Sequence, residues 1–301
     1  AGNRAGAAMG HMLIAKLAMW NKDYDKALEA IAVLEQIYGD DLSVYPVSDI
    51  PFRMKNTPES IFEVQHTYTA GGLIYTSNVA SICMPYPRNS DNVYSNVVIE
   101  ELGDAATTWS PLRPNSFFYG NLMPEGGEDL RRAMQRITEW NAVKFASGDA
   151  LVTRPCMGPK FWCPDLQAAY DSNNYKVFRY ADAVLMAAEC YCALLDKDKA
   201  MEYLNKVKRR AGIAEYTRFR TYPLLLNEIQ NERGRELLGE FQRKFDMVRW
   251  GIWYERTAAL SDYAKVKTSI QPCHEYYPIP DTEVIYSGGA LDNNEYKKYG
   301  F

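Results

Sequence analysis

The sequence lacks a long hydrophobic run. No uninterrupted apolar stretch of about 18 residues, the length that a membrane-spanning helix needs, occurs in the 301-residue chain. Its first residues also lack the basic, apolar and small-residue succession of a secretory signal. The opening AGNRAGAAMGHMLIAKLAMW instead reads as the interior of a helix, so we expect the natural protein to have an N-terminal part outside this sequence.

A positive charge excess is also lacking. The chain has 34 Lys and Arg against 38 Asp and Glu, a formal net charge of -4. Proteins that bind polyanions usually carry a basic excess or a dominant basic face. Nucleic acid is therefore not a predicted partner.

Chemistry-bearing motifs are few. The six cysteines form no C-x-x-C pair, and the sequence leaves open whether they are thiols or disulfides. His11, His66 and His274 stand far apart, without a nucleophile or ligand motif nearby. No glycine-rich phosphate loop occurs. Glycoside hydrolysis needs two carboxylates at a set distance in space, and that distance cannot be read from the sequence. The sequence predicts a binding protein with no cofactor, no metal and no catalytic residue.

Two segments of the chain resemble each other. AKLAMWNKDYDKALEAIAVLEQIYG, from Ala15, aligns without a gap with AECYCALLDKDKAMEYLNKVKRRAG, from Ala188. Each reads as helix, short polar turn and helix, with Asp23 or Asp196 placed to cap the second helix. Gly39 is placed to end the first copy. The repeat predicts tetratricopeptide-like helical hairpins, which bury their apolar faces against neighbours.

The region between the two copies has a different composition. Residues 42–174 are rich in Pro, Gly, Asn, Ser and aromatic side chains, which predicts loops rather than long helices. IFEVQ, from Ile61 to Gln65, alternates as a short strand does. The sequence thus predicts a mainly α-helical scaffold with minor short strands and one long loop-rich insertion. Its segments are a hairpin over 1–41, the insertion over 42–174, a second hairpin and long C-terminal helix over 175–256, and a tail over 257–301.

The segment RGRELLGEFQRKFDMVRWG, from Arg233, mixes charged residues with apolar ones. We expect one helix from about residue 223 to residue 250. On such a helix an apolar stripe would face the core; its members are Leu237, Phe241, Phe245, Val248 and Ile252. Many of the basic residues have an acidic neighbour three or four positions away, so the segment is interpreted as scaffold rather than as an anion site.

The segment NERGRELLGEFQRKFDMVRWG resembles the C-terminal helix motif of the SusD/RagB family of Bacteroidetes surface lipoproteins. The residues that match in register are Glu232, Arg233, Glu236, Glu240, Arg243, Asp246, Arg249, Trp250 and Gly251, whereas Gly234 departs from the usual bulkier residue. VFRYADAVLMAAEC, PESIFEVQ, GGEDLRRAM and YYPIPDTEV resemble further family segments in the expected order. Together these similarities cover nearly the whole chain.

The resemblance implies a non-catalytic carrier of the cell surface. Its expected ligand is a glycan or oligosaccharide, and its expected partner is a SusC-like TonB-dependent transporter of the outer membrane. Membrane contact would come only through a lipid anchor outside this chain, on the outward-facing surface. In this family the charged helix motif is scaffold, so the ligand is expected at the insertion.

Sugars offer C–H faces that stack on aromatic rings and hydroxyl groups that bind amides and guanidinium groups. The insertion supplies both kinds of side chain. The predicted ligand-binding residues are Trp109, Tyr119, Phe118, Tyr75, Tyr86, Trp162, Asn78, Arg88, Arg113 and Asn115.

Two alternatives stay open at this point. A RagB-like carrier would take peptides, and a groove lined by tyrosines would serve either cargo. A tetratricopeptide-type adaptor would bind a protein on its helical face, although only two hairpins are visible and a free solenoid needs three or more.

Overall fold

The computed structural model describes residues 4–67, 75–84, 112–137, 139–140, 143–144, 156–163, 166 and 169–301. The chain is mainly helical with a few short strands, as predicted. It divides into two compact units, Ala1–Glu240 and Phe241–Phe301.

The first unit begins with the predicted hairpin. Helices α1, Ala7–Trp20, and α2, Tyr24–Tyr38, pack together through small buried alanines that allow a close crossing. The carboxylate of Asp23 accepts a hydrogen bond from the Lys26 backbone N–H, 3.3 Å away, and so caps α2. Gly39 ends α2 with φ 84°.

A narrow two-stranded ribbon connects the scaffold with the insertion. Strand β1, Ser60–Val64, lies where the sequence predicts a strand. Within the insertion follow α3, Val79–Cys83, a π-helix, Phe118–Leu122, α4, Arg132–Gln135, and the small pair β2, Glu139–Trp140, and β3, Val143–Lys144. Strand β4, Tyr175–Arg179, returns antiparallel to β1, with Val64 opposite Tyr175.

Short 3-10 turns complete the described part of the insertion. They span Leu42–Val44, Val47–Asp49 and Pro159–Phe161. The helices in the described residues of this region are all short, as its composition predicts. Three small apolar clusters hold the described residues together: one around Phe52 and Phe161, one around Ala80 and Trp162, and one around Phe118 and Leu122.

The second hairpin reproduces the first. Helix α5, Tyr180–Ala193, leads to α6, Lys197–Arg210, and the carboxylate of Asp196 caps α6 by accepting the Lys199 backbone N–H at 3.0 Å. Even the turns agree, because Lys22 and Leu195 occupy equivalent positions and both have positive φ, 59° and 64°. The repeat predicted from the sequence is thus a structural repeat.

Helix α7, Tyr222–Glu236, completes the scaffold of the first unit. Helix α5 contacts α1, α2, α6 and α7 and is buried along nearly its whole length. Its alanines and Val184, Leu185 and Met186 form the centre of one large apolar core.

The prediction of a single long helix from residue 223 to residue 250 is wrong. Helix α7 stops at Glu236, and the chain turns through Gly239, φ 72°, and Phe241, φ 56°. A Cβ atom on Gly239 would lie 2.3 Å from the Phe161 ring, so the turn depends on a close approach that only glycine permits. The expected apolar stripe is broken with the helix: Phe241 and Phe245 are exposed.

The second unit consists of short helices. These are α8, Arg243–Arg249, α9, Trp253–Leu260, α10, Ala264–Ser269, a 3-10 turn, Pro272–Glu275, α11, Asp281–Tyr286, and α12, Asn294–Lys297. The Lys244 ammonium lies 5.0 Å from the ring centroid of Trp253 and 4.2 Å from that of Tyr277, so cation–π contacts hold part of this unit.

The cysteines form no disulfide. All six are free thiols, and all are buried. Within the described parts of the chain, no helix has both the length and the apolar character needed to cross a bilayer.

Candidate functional site

A buried network of charges joins the insertion to the scaffold. Arg131 donates hydrogen bonds to Glu232 at 2.6 Å and to Glu236 at 2.9 Å, and its other nitrogen reaches Asp129 at 2.6 Å. Arg179 donates to Glu236 at 2.9 Å. We call this set, with Glu59, Glu240, Lys160 and Arg210, the ion network.

Glu236 is the centre of the ion network. It pairs with Arg131, Arg179 and Arg210, and its side chain is fully buried. Burial, the largest influence, favours the protonated acid, but Arg210, Arg179 and Arg131 together hold the pKa of Glu236 well below its usual range. The carboxylate is therefore charged throughout the neutral range, and the charged motif of α7 is scaffold, as the sequence predicts.

The ion network also fixes the far part of the insertion. The Lys160 ammonium donates to Glu240 at 2.7 Å and to the Leu238 carbonyl at 2.9 Å. Gln135 donates to the backbone carbonyl of Arg235. Two separate stretches of the insertion are thus bonded to the end of α7 and to the turn that follows it.

Three exposed side chains lie on two segments that are bonded to each other. Ser77 and Asp171 exchange two backbone hydrogen bonds of 2.9 Å, and the Asn78 amide donates to the Ala169 carbonyl at 3.1 Å. Tyr75 is 62% exposed and Tyr170 is 49% exposed, with Asn78 exposed beside the bridge. We call Tyr75, Asn78 and Tyr170 the tyrosine surface.

A buried carboxylate supports the tyrosine surface from below. Asp171 is inaccessible to solvent, and its two oxygens accept hydrogen bonds from the backbone N–H of Ala80 at 3.0 Å and of Asn173 at 2.9 Å. The bond from Ala80 ties the first turn of α3 to the segment before β4. Aromatic side chains on such a base are held for recognition at a low entropic cost.

A second set of polar contacts joins the same region to the ribbon. The Asn174 amide donates to Glu63 at 2.8 Å and accepts the His66 backbone N–H at 3.0 Å. The His66 Nδ1 lies 2.9 Å from the Asn173 carbonyl, an acceptor, so Nδ1 carries the proton. His66 is therefore a packed histidine with a structural hydrogen bond.

Comparison with known proteins now identifies the fold. Residues 166–296 match the SusD family. The chain is 37% identical over 135 residues to the SusD-like protein P25 of Formosa agariphila. The aligned region covers 42% of this chain and 25% of that protein. This part of the chain is therefore SusD-like.

Solved structures share the fold of the chain. Surface glycan-binding protein A from Bacteroides thetaiotaomicron superposes on this chain with a TM-score of 0.69 and 22% identity. The superposition covers 97% of this chain and 64% of the chain of that protein. The same protein in complex with laminarihexaose gives a TM-score of 0.65, 21% identity, and the same two coverages. This SusD-like chain therefore spans about two thirds of the structural relative and a quarter of the curated one.

The predicted ligand residues of the SusD-like chain fall into four groups. Tyr75 and Asn78 lie on the tyrosine surface. Tyr119 and Arg113 are half-buried near the π-helix, where the Asn115 side-chain oxygen accepts the Phe118 backbone N–H at 2.9 Å. Trp109, Tyr86 and Arg88 lie outside the described residues.

Two predicted stacking residues are interior side chains instead. Trp162 is 2% exposed, and its indole N–H donates to the Met157 carbonyl at 3.3 Å. Phe118 is 5% exposed and packs against Leu122 and Met123. Their rings fill the small cores of the insertion, so neither offers a free face to a sugar.

Tyr170 was not among the residues predicted from the sequence. One sequence signal is the breaker-rich stretch DSNN that follows it directly before β4, although Asp171, Asn173 and Asn174 are themselves buried. Across the described residues, no group of three or more His, Cys, Asp or Glu side chains is arranged to hold a metal ion.

Proposed function

We propose that this SusD-like chain is part of a non-catalytic, cell-surface protein that binds oligosaccharides and delivers them to a SusC-like TonB-dependent transporter. In this proposal a lipid anchor outside residues 1–301 attaches the protein to the outward face of the outer membrane. The match of residues 166–296 to the SusD family supports the proposal, as does a solved structure of the same fold that is in complex with laminarihexaose.

The observation that carries the proposal is the exposure of Tyr75 and Tyr170 on a rigid base. A tyrosine ring that is 62% or 49% exposed offers an apolar face for the C–H groups of a sugar. Exposed Asn78 supplies amide donors and an acceptor for sugar hydroxyl groups. Trp109, Tyr86 and Arg88 belong to the same insertion and remain proposed contributors, with Tyr119, Arg113 and Asn115 beside them.

Transport requires release as well as capture. Stacking and neutral hydrogen bonds at an open surface give modest affinity, because the ligand keeps much of its contact with water. A carrier built in this way can pass its cargo to the transporter. No bond in the ligand needs to break.

A binding screen tests the proposal. The 301-residue chain would be titrated calorimetrically with laminarihexaose, other soluble oligosaccharides and short peptides. We expect binding of an oligosaccharide, and a loss of about 1–3 kcal/mol, or roughly 10- to 100-fold in affinity, for Tyr75→Ala or Tyr170→Ala. Trp109→Ala and Tyr119→Ala test the remaining candidates.

Tyr286→Ala provides the matched control. Tyr286 is 83% exposed but lies in the second unit, on α11, so its removal should leave the affinity unchanged. If only peptides bind, the ligand is a peptide, as expected for a RagB-like carrier, and not a glycan. Glycan binding that survives all four insertion substitutions would place the site elsewhere.

A further inference from the structure

A pocket of about 200 Å³ opens on the first unit, away from the residues that form the tyrosine surface. The turn from Leu122 to Asp129 forms one part of its lining, and Arg132, Lys208 and Tyr216 contribute others. The lining therefore combines apolar side chains with cations. We call it the Lys208 pocket.

Lys208 is the unusual member of this lining. The residue is only 7% exposed, and its ammonium lies 3.9 Å from the ring centroid of Tyr216. Among the residues that the structure describes, no oxygen accepts a hydrogen bond from it and no carboxylate pairs with it. Lysine side chains are almost never buried to this degree unless they are paired.

Lys206, two residues earlier on α6, provides an internal comparison. It is also 7% exposed, and its ammonium lies 4.1 Å from the ring centroid of Tyr203. In that case, however, Glu35 completes the arrangement with a carboxylate oxygen at 2.8 Å. The two lysines share the aromatic support, and only the Lys208 ammonium lacks an oxyanion.

The acids around the Lys208 pocket are largely occupied elsewhere. Arg131 binds Asp129, and Arg235 binds Glu228 and Glu232. The hydroxyl of Tyr216 donates to Glu228 at 2.7 Å, which fixes the ring beneath the ammonium. Glu128 lines the pocket as an exposed side chain and forms no ion pair in the described part of the chain.

Arg132 adds a second cation. Its Nε donates to the Gly127 carbonyl at 3.2 Å, which orients the guanidinium at the pocket. No carboxylate among the described residues pairs with it. The pocket thus holds two cations without an ion-pair partner against one exposed carboxylate.

We propose that the Lys208 pocket binds the oxyanion of a small ligand, the carboxylate of a uronic acid or the sulfate of a sulfated sugar. Lys208 and Arg132 supply charge-assisted hydrogen bonds, which are stronger than those between neutral groups. The volume is below the range of about 300–1,000 Å³ for drug-sized ligands, so the pocket suits a single sugar residue. Its open side allows the rest of a chain to extend into water.

The electrostatics of Lys208 agree with this assignment. Burial, the largest influence, lowers the pKa of Lys208, and Glu232 opposes that shift. The ammonium is therefore in a setting that disfavours its charge. An arriving oxyanion would compensate that cost, as Glu35 does for Lys206.

Titration with matched sugars tests the proposal. The 301-residue chain would be titrated with glucuronate, glucose 6-sulfate and glucose, and binding followed by calorimetry. We expect at least one acidic sugar to bind about 10-fold or more tightly than glucose, and Lys208→Met or Arg132→Gln to remove most of that preference. The acid that binds identifies the source of the oxyanion.

Two variants separate the charge from the fold. Lys208→Arg keeps a cation in the pocket and should retain the preference. Lys199→Met removes another lysine of α6, whose ammonium lies 5.3 Å from the Tyr191 ring centroid but outside the pocket, and should change nothing. Thermal unfolding checks that each variant folds, and half-buried Arg132 offers a second test if Lys208→Met does not.

Equal affinity for glucose and both acids would overturn the proposal. So would a preference for acids that persists in folded Lys208→Met and Arg132→Gln. Because Tyr75 does not line the pocket, Tyr75→Ala should leave acidic-sugar binding intact. The tyrosine surface and the Lys208 pocket are therefore tested independently.

Discussion

Glu236 and Arg179 form a salt bridge of 2.9 Å, and both side chains are fully buried. Arg179 ends the ribbon strand β4, whereas Glu236 ends helix α7. This ion pair therefore joins the strand that returns from the insertion to the helix that begins the family motif. Its partners on both sides determine what a substitution there would do.

Glu236→Gln should destabilise the chain strongly. The amide would leave Arg131, Arg179 and Arg210 with one fewer buried counter-charge, and breaking a buried pair in this way costs about 3–5 kcal/mol. Urea unfolding would measure the free energy of unfolding. Glu215→Gln, which removes an exposed partner of Arg209, should cost about 0–1 kcal/mol. Similar losses for the two variants would contradict the assigned role of the ion network.

Asp182 should make the stability sensitive to acid. Burial, the largest influence, raises its pKa, but Lys16 and Arg233 oppose it and lower the pKa from 3.8 to about 2. Because the folded pKa lies below the unfolded one, this stabilisation is complete above about pH 4 and is lost as the pH falls toward 2. It corresponds to about 2 kcal/mol.

The comparison that isolates this effect is wild type against Asp182→Asn. The variant should be less stable at pH 7, and the difference in unfolding free energy should shrink by about 2 kcal/mol between pH 5 and pH 2. A difference that stays constant with pH would show that Asp182 does not titrate in this range.

Gly239→Ala should destabilise the turn that separates α7 from the following segment. Its φ of 72° disfavours a side chain, and the added Cβ would lie 2.3 Å from the Phe161 ring. We expect a loss of about 1–3 kcal/mol in thermal or urea unfolding. Gly10→Ala, inside α1 with open space around the new Cβ, should instead stabilise by about 0.5–1 kcal/mol.

Asp171→Asn should loosen the tyrosine surface without removing any of its exposed side chains. Asparagine retains only one acceptor oxygen. Its NH2 group, a donor, would therefore face the backbone N–H of either Ala80 or Asn173 and leave that N–H without its acceptor. Hydrogen exchange at the Ala80 amide should become faster, and oligosaccharide affinity should fall by about 10-fold. Unchanged exchange would contradict the supporting role of Asp171.

The sequence was most informative where structure is local. The hairpins, the capping of α2 and α6 by Asp23 and Asp196, and strand β1 all depend on neighbours within a few residues. These features need no knowledge of distant contacts. The scaffold role of the charged motif was predicted from local pairs, whereas the structure pairs Glu236 with Arg131, Arg179 and Arg210 from distant parts of the chain.

The errors come from contacts between distant parts of the chain. The break after Glu236 depends on the Phe161 ring beneath Gly239, and no helical periodicity records that neighbour. Trp162 and Phe118 look like exposed aromatic residues in a loop-rich region, yet each completes a small apolar cluster. Tyr170 is the converse case, an exposed ring next to a strand that enters the core.

The paired strands β1 and β4 carry a practical consequence for engineering. Val64 and Tyr175 lie opposite each other, so the chain leaves the helical scaffold and re-enters it at points about 5 Å apart. A graft that replaces the segment between them with the corresponding segment of a relative would leave both hairpins intact. It would have to recreate the contacts of anchors such as Arg131, Lys160 and Asn174, so the proposed tyrosine surface could be exchanged as a unit while Lys208 stays in place.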